Sequence, residues 1–253
     1  LMYWVRAWLL YMVKAAHVAV LVELVNGGAI PQGRSQLEHG TNAVRQRFGT
    51  ANALFAIDLL IKGVVRTLAG LARGLLRAVP GSERLGALLQ AFLRMALGFV
   101  DELILARMIR TGSEEPWESA RKSLVLYAQN HRPMLRNAAW LAALMYGLSI
   151  LVFVVMLAPA ALIAWLMPGF LSGAAVLFAA LLAWSIKVGA LEPLALACMM
   201  QVYFQAIEDQ QPDPQWEARM AQLSRPFRNI RQRAEEALRT PERPGAAGPE
   251  TQA

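Results

Sequence analysis

Residues 137–186 read NAAWLAALMYGLSILVFVVMLAPAALIAWLMPGFLSGAAVLFAALLAWSI, fifty consecutive positions without a charged side chain, bounded by Arg136 and Lys187. A hydrocarbon layer about 30 Å thick is crossed by roughly 20 helical residues, so this run is long enough for two crossings. Pro168 and Gly169 divide it, and that dipeptide is a turn signal. The two sides predict membrane helices over 137–167 and 170–207, folded back as a hairpin. Trp140 and Trp165 stand near the ends of the first, where indole rings favour the membrane interface. Pro159 predicts a bend inside it.

The rest of the chain fits that setting. Of its 253 residues, 56% are hydrophobic and 17% charged, against about a quarter charged in a soluble domain, and mean hydropathy is +0.36. These figures exclude a disordered chain and argue against a soluble enzyme. The 25 Lys+Arg exceed the 18 Asp+Glu, giving a net charge of +7. In a soluble protein that excess would suggest nucleic acid. Here the basic residues flank apolar runs, as expected of cytoplasmic loops, and no nucleic-acid partner is implied. Sixteen of the 25 fall within 29–49, 107–136 and 208–253. That distribution predicts cytoplasmic polar loops and a cytoplasmic C-terminus, with both Pro-Gly turns on the far side of a plasma or bacterial inner membrane.

Working outward, the organisation has seven parts. Residues 1–26 form a first membrane helix that carries Arg6, Lys14, His17 and Glu23; it is too long for a signal-peptide core and has no small-residue cleavage site after it. Residues 27–49 are a cytoplasmic loop and helix. Residues 50–110 are an amphipathic helical hairpin about Pro80 and Gly81. Then come a cytoplasmic amphipathic helix within 111–136, the transmembrane hairpin 137–207, and a basic cytoplasmic segment 208–239 with an Arg-rich helix over 215–239. The tail 240–253 has too few large apolar residues to fold. The fold class expected is all-α: a polytopic integral membrane bundle of about five membrane helices in hairpins, with amphipathic cytoplasmic or interfacial helices. A weak repeat runs through it. Leu105 to Ile109 resembles Leu196 to Met200, and each leads through a Pro-containing acidic loop to Trp117-Glu-Ser-Ala-Arg121 or Trp216-Glu-Ala-Arg219.

Charge placed inside apolar helices is the informative constellation: Lys14, Asp58, Lys62, Arg66, Arg94, Asp101, Lys187 and Glu192. Ionisable residues at membrane depth are candidates for a polar path or an anion or lipid contact, and Lys62, Arg66, Arg94, Asp101, Lys187 and Glu192 are the binding candidates. Asp58, Lys62, Arg66, Arg73 and Arg77, with Gly70 between Arg66 and Arg73, step by three or four and share one helix face. Folded about Gly81, the hairpin brings Lys62 and Asp101 to one depth, and Arg66 to the level of Arg94. Five unpaired charges on one membrane helix would cost on the order of 12 to 17 kcal/mol. The hairpin therefore either spans with its charges buried against other helices or lies in the interface with arginines snorkelling. Lys187, Glu192 and Pro193 interrupt the last span, as the broken helices of transporters do. Asp101 and Glu102 point about 100° apart, which suits ion pairing better than an acid/base couple.

Catalytic signals are missing. There is no P-loop, nucleophile elbow or dinucleotide fingerprint, and the histidines at 17, 39 and 131 are too scattered for a metal cluster. Cys198 is the single cysteine, read as a small buried hydrophobe. No enzyme activity, metal or cofactor is expected. Two functions follow: a non-catalytic subunit or scaffold of a membrane assembly, homo- or hetero-oligomeric, or a transporter or channel for an anionic solute or lipid headgroup that uses the intramembrane Lys and Arg. The lipid bilayer is the expected partner, with anionic lipid at the basic helices, where each basic residue near the surface contributes about 1 kcal/mol.

Overall fold

The computed structural model describes residues 2–28, 40, 42, 51–77, 98–112, 115–166 and 170–239. The expected turns at Pro80-Gly81 and Pro168-Gly169, the site candidate Arg94, most of the 27–49 segment and the 240–253 tail lie outside the described residues. Within them every element is helical: α1 (Met2–Val25), α2 (Ala51–Arg77), α3 (Val100–Thr111), α4 (Pro116–Gln129), α5 (His131–Leu166), α6 (Phe170–Ile186), a π-helical turn (Lys187–Leu191), α7 (Glu192–Ala206), α8 (Pro214–Leu223) and α9 (Arg225–Arg239).

Three stretches are long and apolar enough to cross a membrane, Val5–Val25, His131–Leu162 and Val176–Ala206. The expectation of about five crossings is not met among the described residues. Helix α2 has the length, with 27 residues, but Asp58, Lys62, Arg66, Arg73 and Arg77 make it too polar, and most of its expected return partner is not described.

The three stretches differ in surroundings. In the apolar window of α1, 44% of residues are buried inside the protein, against 11% in each of the other two. Helices α5 and α6 pair with one another around Ala160 and Ala179, small residues that let backbones approach. Their outer faces carry Ile150, Leu151, Val155, Leu162, Leu177, Leu181 and Trp184, all exposed. Such a surface belongs in lipid. The other described helices join the start of α5 in one helical head. Its core joins Ala15, Val18 and Val22 of α1, Ile57 and Ile61 of α2, Leu103 and Ile104 of α3, Leu124 of α4, Met199, Met200 and Tyr203 of α7, and Phe227 and Ile230 of α9.

Local chemistry explains most of the boundaries. Gly112 ends α3 with φ of 59°, a left-handed conformation glycine adopts without strain, and its N–H bonds the Met108 carbonyl. Pro116 and Pro214 open α4 and α8, where a missing N–H costs nothing, and Asp213 caps α8 by accepting from Gln215 N at 2.8 Å. Pro133 likewise falls in the first turn of α5.

Two expectations are corrected here. The single Arg-rich helix expected over 215–239 is two, because Ser224 is extended and its hydroxyl accepts from Phe227 N at 3.3 Å, starting α9 afresh with Pro226 in its first turn. Cys198 is exposed, not buried. It shares the outward face of α7 with Leu194, Gln201 and Gln205, while Leu196, Met199, Met200 and Tyr203 turn into the core.

The two repeat-like segments fold to one plan. In each, a helix with at least three buried Leu, Met or Ile residues leads through a short link to a Pro-initiated helix with a tryptophan in its first turn. Helix α3 packs on α7, and α4 on α8.

Candidate functional site

The buried charges of α1, α2 and α3 meet in one cluster. Helical periodicity puts Asp58 and Lys62 one turn apart on α2, and Lys62 donates to Asp58 Oδ2 at 2.6 Å. Lys14, in mid-α1, donates to Asp101 Oδ2 and stands 3.3 Å from Glu102 Oε1. Lys62 Nζ is also 3.9 Å from Asp101 Oδ2. Two ammonium groups thus face three carboxylates across three helices. Asp58 and Asp101 are buried, and the Lys14 side chain is 25% exposed.

One void adjoins the cluster, lined by Tyr11, Ile57, Asp58, Ile61, Asp101, Leu105 and Met108, with a volume of about 10 Å³. That is the size of one water molecule. The Tyr11 hydroxyl is buried without a hydrogen-bond partner, as is Glu102 Oε2.

The sequence candidates are therefore distributed unevenly. Lys62 and Asp101 come together, as the depth argument expected, but Lys14 is the closer partner of Asp101. Arg66, one turn beyond Lys62, is exposed and outside the cluster. Lys187 and Glu192 form a separate pair at 2.8 Å. Their geometry comes from the π-helical turn. Residues five apart point about 140° from each other on an α-helix, whereas i→i+5 bonding draws them onto one face. The Glu192 N–H indeed bonds the Lys187 carbonyl, and φ and ψ stay helical at Ile186, Leu191 and Glu192. Pro193 lacks the N–H that would bond Gly189, so the widened turn comes where an α-helical bond cannot form. The expected interruption of the last span is thus a local widening of a continuous helix.

A second ion-pair centre holds the head together and was not read from the sequence. Arg121 of α4 donates to Glu118 through Nε and Nη2, both at 2.7 Å, and to Glu217 of α8 through Nη1 at 2.6 Å. Glu118 and Glu217 follow Trp117 and Trp216, the matched positions of the repeat. The guanidinium holds the Glu118 carboxyl below its ordinary value of 4.5, chiefly through the hydrogen bond, and the same bond raises Arg121. Each tryptophan also lies under an arginine, Arg233 at 4.8 Å from the Trp117 ring and Arg219 at 5.4 Å from the Trp216 ring. Nearby, the Tyr203 hydroxyl donates to the Ser123 carbonyl at 2.9 Å, and Arg107 donates to Ser123 Oγ at 3.0 Å.

Among the described residues no three of His, Cys, Asp and Glu are placed to hold a metal ion. Comparison with protein-family models, with curated proteins and with solved structures returns no match.

Proposed function

We propose that the chain is a non-catalytic membrane protein that serves as a subunit or scaffold of a membrane assembly, with the α5–α6 hairpin as its anchor and the helical head as its cytoplasmic working part. The observation that carries this reading is the use made of the partly buried cations. Lys14, Lys62 and Lys187, three of the cations an anion path would use, are each held by a carboxylate of the same chain. A lysine so neutralised stabilises helix packing in a medium of low dielectric and no longer attracts a passing anion. The adjoining void has room for about one water and not for a solute.

The last span supports the same choice. Lys187 comes 17 residues after Phe170, about 26 Å along the helix, which sets its pair with Glu192 towards the inner boundary of a 30 Å layer. Transport sites built on discontinuous helices lie near the midplane and use unwound backbone. Here the helix is continuous.

Native mass spectrometry of the full chain from mild detergent tests the scaffold reading. Complexes with a second copy or with another protein are expected, and a lone monomer under every condition would count against it. Cysteines placed at 62, 66 and 187 in a Cys198→Ala background test the alternative. Reaction at 62 and 66 from the cytoplasmic face alone is expected, whereas reaction at both 62 and 187 from either face of the membrane would favour the transport of an anionic solute or lipid headgroup.

A further inference from the structure

The foot of α5 carries two arginines in register with its lipid-facing stripe. Arg132, Arg136 and Trp140 recur every four residues, and the stripe continues through Leu144, Leu151 and Val155. All six are exposed, Trp140 at 76%. Trp140 and Trp165 are 25 residues apart, about 38 Å of helix, enough for each ring to sit in the interfacial layer on either side of a 30 Å core. Arg136 then follows Trp140 by about 6 Å and Arg132 by about 12 Å, in and just outside the headgroup layer.

Neither arginine has a carboxylate within ion-pairing distance among the described residues. Other cations of α3 and α4 are occupied: Arg110 covers the Phe204 ring at 4.4 Å, Arg121 is held by Glu118 and Glu217, and Lys122 is 3.3 Å from Glu118. Helix α9, the more basic element, is engaged elsewhere. Its apolar face, Phe227, Ile230 and Ala234, is buried in the head. Arg228 donates to the Ala221 carbonyl at 2.7 Å, Arg231 is 3.4 Å from Glu235, and Arg233 covers Trp117.

We propose that Arg132 and Arg136, together with Trp140, form a binding surface for the headgroup of an anionic phospholipid. The guanidinium groups take the phosphate oxygens, for which their planar donor geometry is suited. The indole lies at the glycerol level, and the acyl chains run along Leu144, Leu151 and Val155. A zwitterionic lipid carries the same phosphate but brings its own ammonium, so the paired arginines select net negative charge. This surface rests on the reading of the α5–α6 hairpin as the membrane anchor.

The test is titration of the purified full chain in mild detergent with phosphatidylglycerol or phosphatidylcholine, read as bound lipid by native mass spectrometry. The native chain is expected to prefer phosphatidylglycerol. Arg132→Gln with Arg136→Gln should lower that affinity roughly 30-fold, from the usual contribution of two basic residues at a membrane surface, and lower phosphatidylcholine binding far less. Arg132→Lys with Arg136→Lys should keep most of the preference, and Arg225→Gln with Arg239→Gln on α9 should keep all of it. Equal binding of phosphatidylglycerol by the native chain and the Gln pair overturns the proposal, as does an equal loss in the α9 pair. Should the Gln pair fail to fold, salt titration of the native chain decides: a preference that falls between about 0.05 and 0.5 M salt supports the arginine contact, and one indifferent to salt overturns it. Alkaline carbonate extraction separates the two layers of inference. A chain that stays in the membrane without lipid preference refutes the headgroup surface alone, and a chain that washes out refutes the anchor as well.

Discussion

At the residue scale the charge cluster ranks its own members. Lys14 compensates Asp101 and Glu102 together, while Lys62 is chiefly committed to Asp58, its neighbour on the same helix. Lys14→Met should therefore destabilise the fold more than Lys62→Met, because it leaves two carboxylates facing a single distant ammonium. Breaking a buried pair from one side costs about 3 to 5 kcal/mol, and the Lys14 variant should approach the lower figure. Thermal unfolding in detergent checks the order, and equal losses would contradict it. The sequence marked Lys62 and Asp101 because helix periodicity and hairpin counting reach across one turn. They do not reach from Lys14 to Asp101, 87 positions away, since no local signal says which face of α1 meets α3.

Arg121 makes a parallel case outside the lipid-facing hairpin. Its removal leaves Glu118 and Glu217 without their shared donor, so Arg121→Met should cost about 2 kcal/mol at neutral pH. The pH dependence has a definite sign. Glu118 is held below its ordinary value of 4.5 in the fold, so its contribution is complete above that pH and is lost as pH falls through the lower, folded value. Melting temperature measured from about pH 7 to pH 3 should fall steeply below pH 4.5 in the native chain and less steeply in Glu118→Gln. Equal slopes would show that Glu118 is not the titrating group.

At the element scale, helix identity was far more legible than helix partnership. The spans at 137–167 and 170–207, the amphipathic helix after Pro116 and the helix over 51–77 all follow from periodicity and from Pro and Gly punctuation. What the pattern left open was whether the charged helix over 51–77 lies in membrane, interface or protein. The answer depends on α9, which packs across α2 and α4, and nothing in the α2 sequence encodes that cover. Gly63 is a point of close approach: a Cβ there would meet Pro226 Cγ at 3.0 Å, and the proline ring cannot swing aside. Gly63→Leu should therefore lift α9 from the head while leaving the other helices in place. Hydrogen exchange should show faster exchange in 225–239 with 100–129 unaffected, and unchanged protection of α9 would mean that the contact is dispensable. Tyr203→Phe, which deletes the bond to the Ser123 carbonyl across α7 and α4, should cost about 1 kcal/mol.

At the scale of the whole molecule, the fifty uncharged residues are decisive for the hairpin and silent on the head. A continuous charge-free run without the alternating pattern of a barrel strand crosses a bilayer as a helix that satisfies its own backbone, and so the hairpin could be read directly. The head is held by contacts between segments far apart in sequence, Arg121 to Glu217 and Tyr203 to Ser123 among them, and its assembly was correspondingly hidden. The resulting division makes a topological prediction. If α5 and α6 alone carry the chain across and back, the outward face of α7 and the start of α9 must lie on the same side. In sealed vesicles of the Cys198→Ala chain, Gln201→Cys and Arg225→Cys should then react with a membrane-impermeant thiol reagent from one face only, and from the same face. Leu151→Cys, exposed on the protein but within the lipid-facing stripe, should stay protected until detergent is added. Labelling of 201 and 225 from opposite faces would require a further crossing between α7 and α9, and the 208–213 link is far too short and polar for one. That outcome would refute the head as a single body on one side of the membrane, whereas reaction at 151 before detergent would refute the hairpin as its anchor.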